Sequence, residues 1–173
     1  MVRSSQMSRT KACAAIWANR ALAALPSPHE ASATATLGDL LVCNSVLPWS
    51  SCRSTWPDIG PDIPTITAMT IARIRSHLEL GTSVIWGGDF NNTLAGPHGP
   101  GTKRGRAEIQ RLVDDLGLQV PTTNLPHRLP SLSAIDHIAV PASWTVTGCV
   151  AMSAKCNGVR LSDHDAYVID VKP

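Results

Sequence analysis

Charge is scarce in this sequence: 16% of its 173 residues are Asp, Glu, Lys or Arg, and the net charge is +2. A balance that small gives no bulk electrostatic argument for nucleic-acid binding. Aromatic residues are few, with one Phe and one Tyr beside five Trp. The five cysteines, at 13, 43, 52, 149 and 156, are odd in number, scattered and free of any CxxC pair. That spacing suggests neither a zinc site nor a disulfide framework, and reduced thiols in a cytoplasmic setting are the expectation. No apolar run approaches the ~20 residues of a membrane-spanning helix, so no membrane span is expected. Arg3, Arg9 and Lys11 precede an apolar run over 12–18, but Asn19 and Arg20 cut it short and make it a poor secretion signal. The Gly-x-Ser-x-Gly elbow of α/β-hydrolases does not occur, and no internal repeat is found.

What is present fits one globular domain over 1–173, since 43% of the residues are apolar and the chain is long enough to bury a core. Residues 1–11 are polar and expected to fray. The Ala- and Leu-rich stretch 12–25 predicts a helix ended by Pro26. Small and polar residues alternate over 31–36, Gly38-Asp39 supply a turn, and 40–47 are apolar, which reads as a β-hairpin. Residues 50–61 read as loop. A helix is predicted over 64–80, because Ile63, Ile66, Ile71, Ile74 and Leu78 share one arc and Gly81 follows. A second is predicted over 106–116, where Ile109, Leu112, Val113 and Leu116 form the stripe. Residues 95–105 and 121–133 read as loops, the first of them mobile, and short strands are predicted over 134–140, 144–152 and 166–171. Strands mixed with two helices that can each cover a sheet face predict an α/β (α+β) layered domain.

The chemistry concentrates around one stretch, Val84-Ile85-Trp86-Gly87-Gly88-Asp89-Phe90-Asn91. It reads as a buried strand that delivers an acid and an amide at its C-terminal end, where α/β sheets place their sites. On an extended backbone Asp89 and Asn91 would point together. Two more polar clusters border apolar strands: Asp136-His137 and Ser162-Asp163-His164-Asp165. Asp136 and His137 must face opposite sides of a strand, so at most one joins a given site, and His137 reads as an edge or surface histidine. An Asp is a hard ligand for Mg²⁺ or Mn²⁺, a His beside it can move a proton or stabilise an anion, and a buried carboxylate can fix that imidazole's tautomer. A serine hydrolase built on Ser162 or Ser133 with His164 or His137 is a weaker reading, for want of the elbow. Lys103, Arg104 and Arg106 read as a solvated basic loop more readily than as phosphate ligands.

Together, Gly88-Asp89-Phe90-Asn91, Ile135-Asp136-His137-Ile138 and Ser162-Asp163-His164-Asp165-Ala166 resemble the motifs of the endonuclease/exonuclease/phosphatase superfamily of DNase-like, metal-dependent phosphodiesterases. The resemblance runs from about Leu37 to Val171. It implies a two-layered β-sandwich flanked by helices and hydrolysis of phosphodiester or phosphomonoester bonds. It also implies a phosphate-ester substrate, nucleic acid among the candidates, and Mg²⁺ or Mn²⁺ as cofactor. By the same resemblance Asp89 would orient and deprotonate the attacking water and reach the metal, Asn91 would hold phosphate or metal, and Asp163 would be a metal ligand. His164, held by Asp136, would stabilise charge on the scissile phosphate. The family's earlier Asn and Glu strands have no counterpart here, where only Asn19 and Glu30 precede the hairpin, and Val46 stands where a His is common. The resemblance therefore implies the C-terminal part of such a domain without its first strands, with metal weakly held and sheet edges open to self-association. A catalytically inactive remnant, or a module that needs a partner, is the alternative expectation.

Overall fold

The computed structural model describes residues 1–8, 11–58, 60–96 and 99–173. Its strands are β1 (Val2–Arg3), β2 (Gln6–Ser8), β3 (Lys11–Ala12), β4 (Ala15–Ile16), β5 (Ala23–Leu25), β6 (Ser32–Leu37), β7 (Leu40–Ser45), β8 (Ser83–Asp89), β9 (Leu118–Gln119), β10 (Asp136–Pro141), β11 (Thr145–Met152), β12 (Lys155–Cys156), β13 (Val159–Arg160) and β14 (Ala166–Lys172). Helix α1 (Ile63–Leu78) lies between β7 and β8, and α2 (Lys103–Asp115) between β8 and β9.

Six strands form the main sheet in the order β5-β6-β7-β8-β10-β9. Only β7 and β8 run parallel, as the intervening α1 crossover requires; the other pairs are antiparallel. One face of the sheet is dry. Leu41, Cys43, Val84, Trp86 and Ala139 pack there against Ile71, Ile74 and Leu78 of α1 and Ile109, Leu112 and Val113 of α2. Both helical stripes read from the sequence are thus the core, except that Ile63 and Leu116 are half-buried. The opposite face is covered at one side by β1 and β4, where Ala14 and Ile16 meet Ala33 and Ala35, and at the other by the β11–β14 pair. The result is an α+β sandwich. The outermost strands of the main sheet are short, three residues in β5 and two in β9, which leaves little edge to pair.

Several expectations need correction. Residues 12–25 form no helix. Ile16 and Ala15 pair with Val2 and Arg3, and Ala23–Leu25 add to β6, so sheet pairing and the close approach that alanine permits override helix propensity. The polar N-terminus, in turn, supplies β1, β2 and β3 rather than a frayed end, with 9–10 outside the described residues. Helix α2 starts three residues early, at Lys103, because Thr102 is its N-cap: its Oγ1 accepts from Gly105 N at 2.9 Å. The remaining loop over 95–102 includes 97–98, which lie outside the described residues. Finally, His137 is neither at an edge nor at the surface; it is buried in the sheet. The loop predicted over 50–61 holds a 3-10 turn, Cys52–Ser54, with 59 outside the described residues, and the one over 121–133 a second, Pro121–Asn124.

Candidate active site

Strand β8 stops where its glycines sit. Gly88 has φ +132°, and a Cβ there would collide with the Ser45 carbonyl and the Asn44 side chain of β7. Only glycine lets β8 pass that close to its neighbour and still deliver Asp89 at its end. Across the antiparallel ladder, Asp89 is paired directly with Asp136 of β10. Two acids thereby lie side by side on the sheet face opposite the helices, half-buried, at the rim of a cavity of about 520 Å³.

The third member comes from the turn before β14. His164 Nδ1–H donates to both Asp136 oxygens, at 2.9 and 2.8 Å, and its Nε2 faces Asp89 Oδ2 at 4.0 Å. Asp89, Asp136 and His164 each offer a ligand atom within 4.8 Å of the others. The turn is well braced. The His164 amide donates to Ser162 Oγ at 3.1 Å, and Arg160 Nη1 reaches both the Ser162 carbonyl and Asp165 Oδ1 at 2.9 Å. Arg160 is carried there by the β12–β13 hairpin, whose turn residues Asn157 and Gly158 both have positive φ. Tyr167 then ties β14 to the Pro126 carbonyl at 3.0 Å.

The electrostatics follow from burial and crowding. Desolvation, with the Asp136 charge next, pushes the Asp89 carboxyl up to about 6, against hydrogen bonds from Asn91. Burial also raises Asp136, partly offset by the hydrogen bond from His164. For His164, burial pulls downward, but the Asp136 hydrogen bond and the charges of Asp136, Asp89 and Asp163 together hold it above its ordinary value. The two facing carboxylates crowd negative charge into a half-buried corner, which a hard cation would relieve. The two carboxylates, Asp89 and Asp136, fit a hard divalent cation with water filling the remaining positions, while the protonated His164 stands beside it.

Other residues named from the sequence fall elsewhere. Asn91 departs from the extended pattern, since it sits at φ +50°: its backbone amide caps Asp89 Oδ1 at 2.9 Å, and its Nδ2 donates to the Leu47 carbonyl at 2.9 Å while its side chain still acts on Asp89. It lines a different cavity, on the other side of the loop. Asp163 is exposed and is not a member of the three-residue cluster, though its charge acts on His164. Asn19 and Glu30 are exposed, and the Glu30 carboxylate lies beside His29, at 3.7 Å. His137 is structural: Nε2–H donates to the Asn92 carbonyl, Nδ1 accepts from Thr122 Oγ1, and burial drives it down to about 4. Among the described residues neither Ser133 nor Ser162 bonds to a histidine ring, so the serine-hydrolase arrangement is not formed. Arg160 is the residue that sequence reasoning passed over, although Asn157-Gly158 is a strong hairpin signal.

No family model and no curated protein matches this chain. Solved structures do. A 3′ phosphatase (NExo) from Neisseria, bound to product DNA hairpin, matches at TM-score 0.60 and 17% identity, over 84% of this chain and 66% of its own. The 3′-5′ exonuclease NExo from Neisseria meningitidis gives 0.59 and 17%, over 83% and 66%. An AP endonuclease from Archaeoglobus fulgidus gives 0.61 and 14%, over 82% and 65%. The chain thus has an exonuclease/AP-endonuclease-like fold, and it spans just under two thirds of the length of those structures. Among the described residues, no helix is long and apolar enough to cross a membrane.

Proposed function

We propose that the protein is a divalent-metal-dependent hydrolase of phosphate esters, with phosphodiesters, DNA among them, as its substrates. One observation carries this reading: Asp89, Asp136 and His164 arrive from three distant segments at one corner of the sandwich. The likeness of fold to a 3′ phosphatase, a 3′-5′ exonuclease and an AP endonuclease supports it.

Asp89 is the general base. Burial and the facing Asp136 raise its carboxyl to about 6 in the metal-free protein, and a cation beside it would favour the ionised form that takes a proton from water. His164 stays protonated longer than a free imidazole and presents Nε2–H toward the reacting phosphate. The 4.0 Å between Nε2 and Asp89 Oδ2 is too long for a direct hydrogen bond, so an oxygen beside the pair could bond both groups. Asp136 is a positioning residue: it fixes the imidazole's tautomer and favours its charged form. Asn91, held at positive φ, orients Asp89 through its backbone amide. Asp89 and Asp136 would hold Mg²⁺ or Mn²⁺, with exposed Asp163 adding negative charge at the rim. When bound, that cation would act as Lewis acid on the phosphoryl oxygens.

A second reading, a catalytically silent or partner-requiring module of the same fold, is favoured by one feature. No residue of β11 or β14 is fully buried, although both line the second layer. Turnover of bis(p-nitrophenyl) phosphate in Mn²⁺ but not in EDTA separates the two. A folded monomer without turnover would support the second.

A further inference from the structure

The second cavity near the site lies on the far side of the Asp89 loop. It encloses about 340 Å³ between Pro48, Trp49 and Ser50 after β7, Ile63 and Thr67 of α1, and the two ends of the following loop, residues 91–92 and 100–102. The catalytic cavity ends at Asp89 and this one begins at Asn91, so the Asx turn is the wall between them.

Its lining sorts by chemistry. Pro48, Ile63 and Pro100 are apolar walls, and Trp49 is a half-buried aromatic. Most polar groups are already committed: Asn92 accepts from Thr102 N and donates to the Phe90 carbonyl, Thr67 donates to the Ile63 carbonyl, and Thr102 caps α2. Asn91 keeps capacity, since only its Nδ2 is hydrogen-bonded among the described side chains, and Ser50 is exposed at the lip. A slot with apolar walls, one indole and the open Oδ1 of Asn91 suits a planar heterocycle with a polar edge. Its volume is at the small end for ligand pockets, which disfavours a long acyl chain. Trp49 is set in place, because its ring meets the Trp56 edge at 5.8 Å and 86°, and Trp56 stacks on buried His29 at 4.8 Å. Lys103 and Arg104 follow Thr102 on the exposed first turn of α2, where a neighbouring phosphate of the same strand would be welcome.

We propose that this cavity is a nucleoside subsite: Trp49 stacks on the base adjoining the scissile phosphate, and Asn91 reads the base or sugar edge. The inference rests on the phosphodiesterase reading and gives it a substrate class, nucleotidyl rather than simple or lipid phosphodiesters.

Binding of thymidine 5′-monophosphate and of inorganic phosphate, measured calorimetrically, tests it together with hydrolysis of thymidine 5′-(p-nitrophenyl) phosphate and methyl p-nitrophenyl phosphate. The expected result is at least a tenfold preference for the nucleotide over phosphate, abolished in Trp49→Leu and kept in Trp49→Phe. The selectivity in kcat/KM between the two esters should fall about tenfold in Trp49→Leu, as loss of one stacking partner predicts. If Trp49→Leu does not fold, Ser50→Glu at the exposed lip carries the same expectation, by repelling the nucleotide. Equal affinity for nucleotide and phosphate, or a preference untouched by Trp49→Leu and Ser50→Glu, would overturn the subsite. A protein that cleaves neither ester but binds the nucleotide through Trp49 would support the subsite and sink the phosphodiesterase reading.

Discussion

Asp89 and Asp136 are direct partners across the β8–β10 ladder, two carboxylates on the same face of adjacent strands; His164 is hydrogen-bonded to Asp136 and holds its Nε2 4.0 Å from Asp89. Like charges placed directly opposite oppose pairing. The sheet is therefore locally less stable than it would be with one neutral partner, and the consequences can be measured.

Replacing Asp89 by Asn should stabilise the apo protein. A carboxyl whose folded pKa lies above its unfolded value favours the fold when protonated, so stability falls as pH rises from about 4 to about 6 and stays lower above that. At pH 7.5 in EDTA, Asp89→Asn should gain on the order of 1–3 kcal/mol over wild type, and the gain should vanish at pH 4. Chemical denaturation at the two pH values checks this. Mn²⁺ should raise the wild-type midpoint and leave that of Asp89→Asn nearly unmoved.

His164 should titrate above the ordinary histidine value of 6.5: burial pulls it down, but the Asp136 hydrogen bond and the charges of Asp136, Asp89 and Asp163 together outweigh burial. Following its imidazole proton by NMR in wild type and Asp136→Asn should show the midpoint fall in the variant. An unchanged midpoint would remove Asp136 from its positioning role.

Gly88→Ala should be severe. The added methyl meets the Ser45 carbonyl, part of a strand rather than a movable side chain, at a φ that L residues rarely adopt. A loss of about 2–4 kcal/mol in denaturant unfolding is expected, the range of a core clash with backbone strain. Gly96→Ala, where a Cβ meets nothing, should cost far less.

Arg160→Ala should leave the fold intact and loosen the His164 turn, since Arg160 holds both the Ser162 carbonyl and Asp165. A drop of about tenfold in kcat with a melting temperature near wild type is the expected pattern, because small misplacements of a catalytic group are costly.

Much of this was legible in the sequence. Period-3.6 stripes located both helices, and alternation and turn residues located the hairpin of β6 and β7, because those segments are amphipathic against one core. The N-terminal strands were not legible: alanine at 15, 23 and 24 speaks for helix locally, and only pairing with β1 and β6 makes it strand. At the site, the positions of Asp89, Asp136 and His164 could be picked out as polar residues bordering apolar strands. The divergence of Asn91 could not, because it depends on a single positive φ after the strand ends. The separation of Asp163 from the cluster is likewise a matter of turn geometry.

The most direct test of the central claim is kcat/KM for bis(p-nitrophenyl) phosphate with Mn²⁺ in wild type, Asp89→Ala, His164→Ala and the double variant. If the two residues act as one centre, each single change should cost at least about 10²-fold, and the double little more than the worse single, with all four proteins folded. Turnover retained within a few-fold in both single variants would contradict the account.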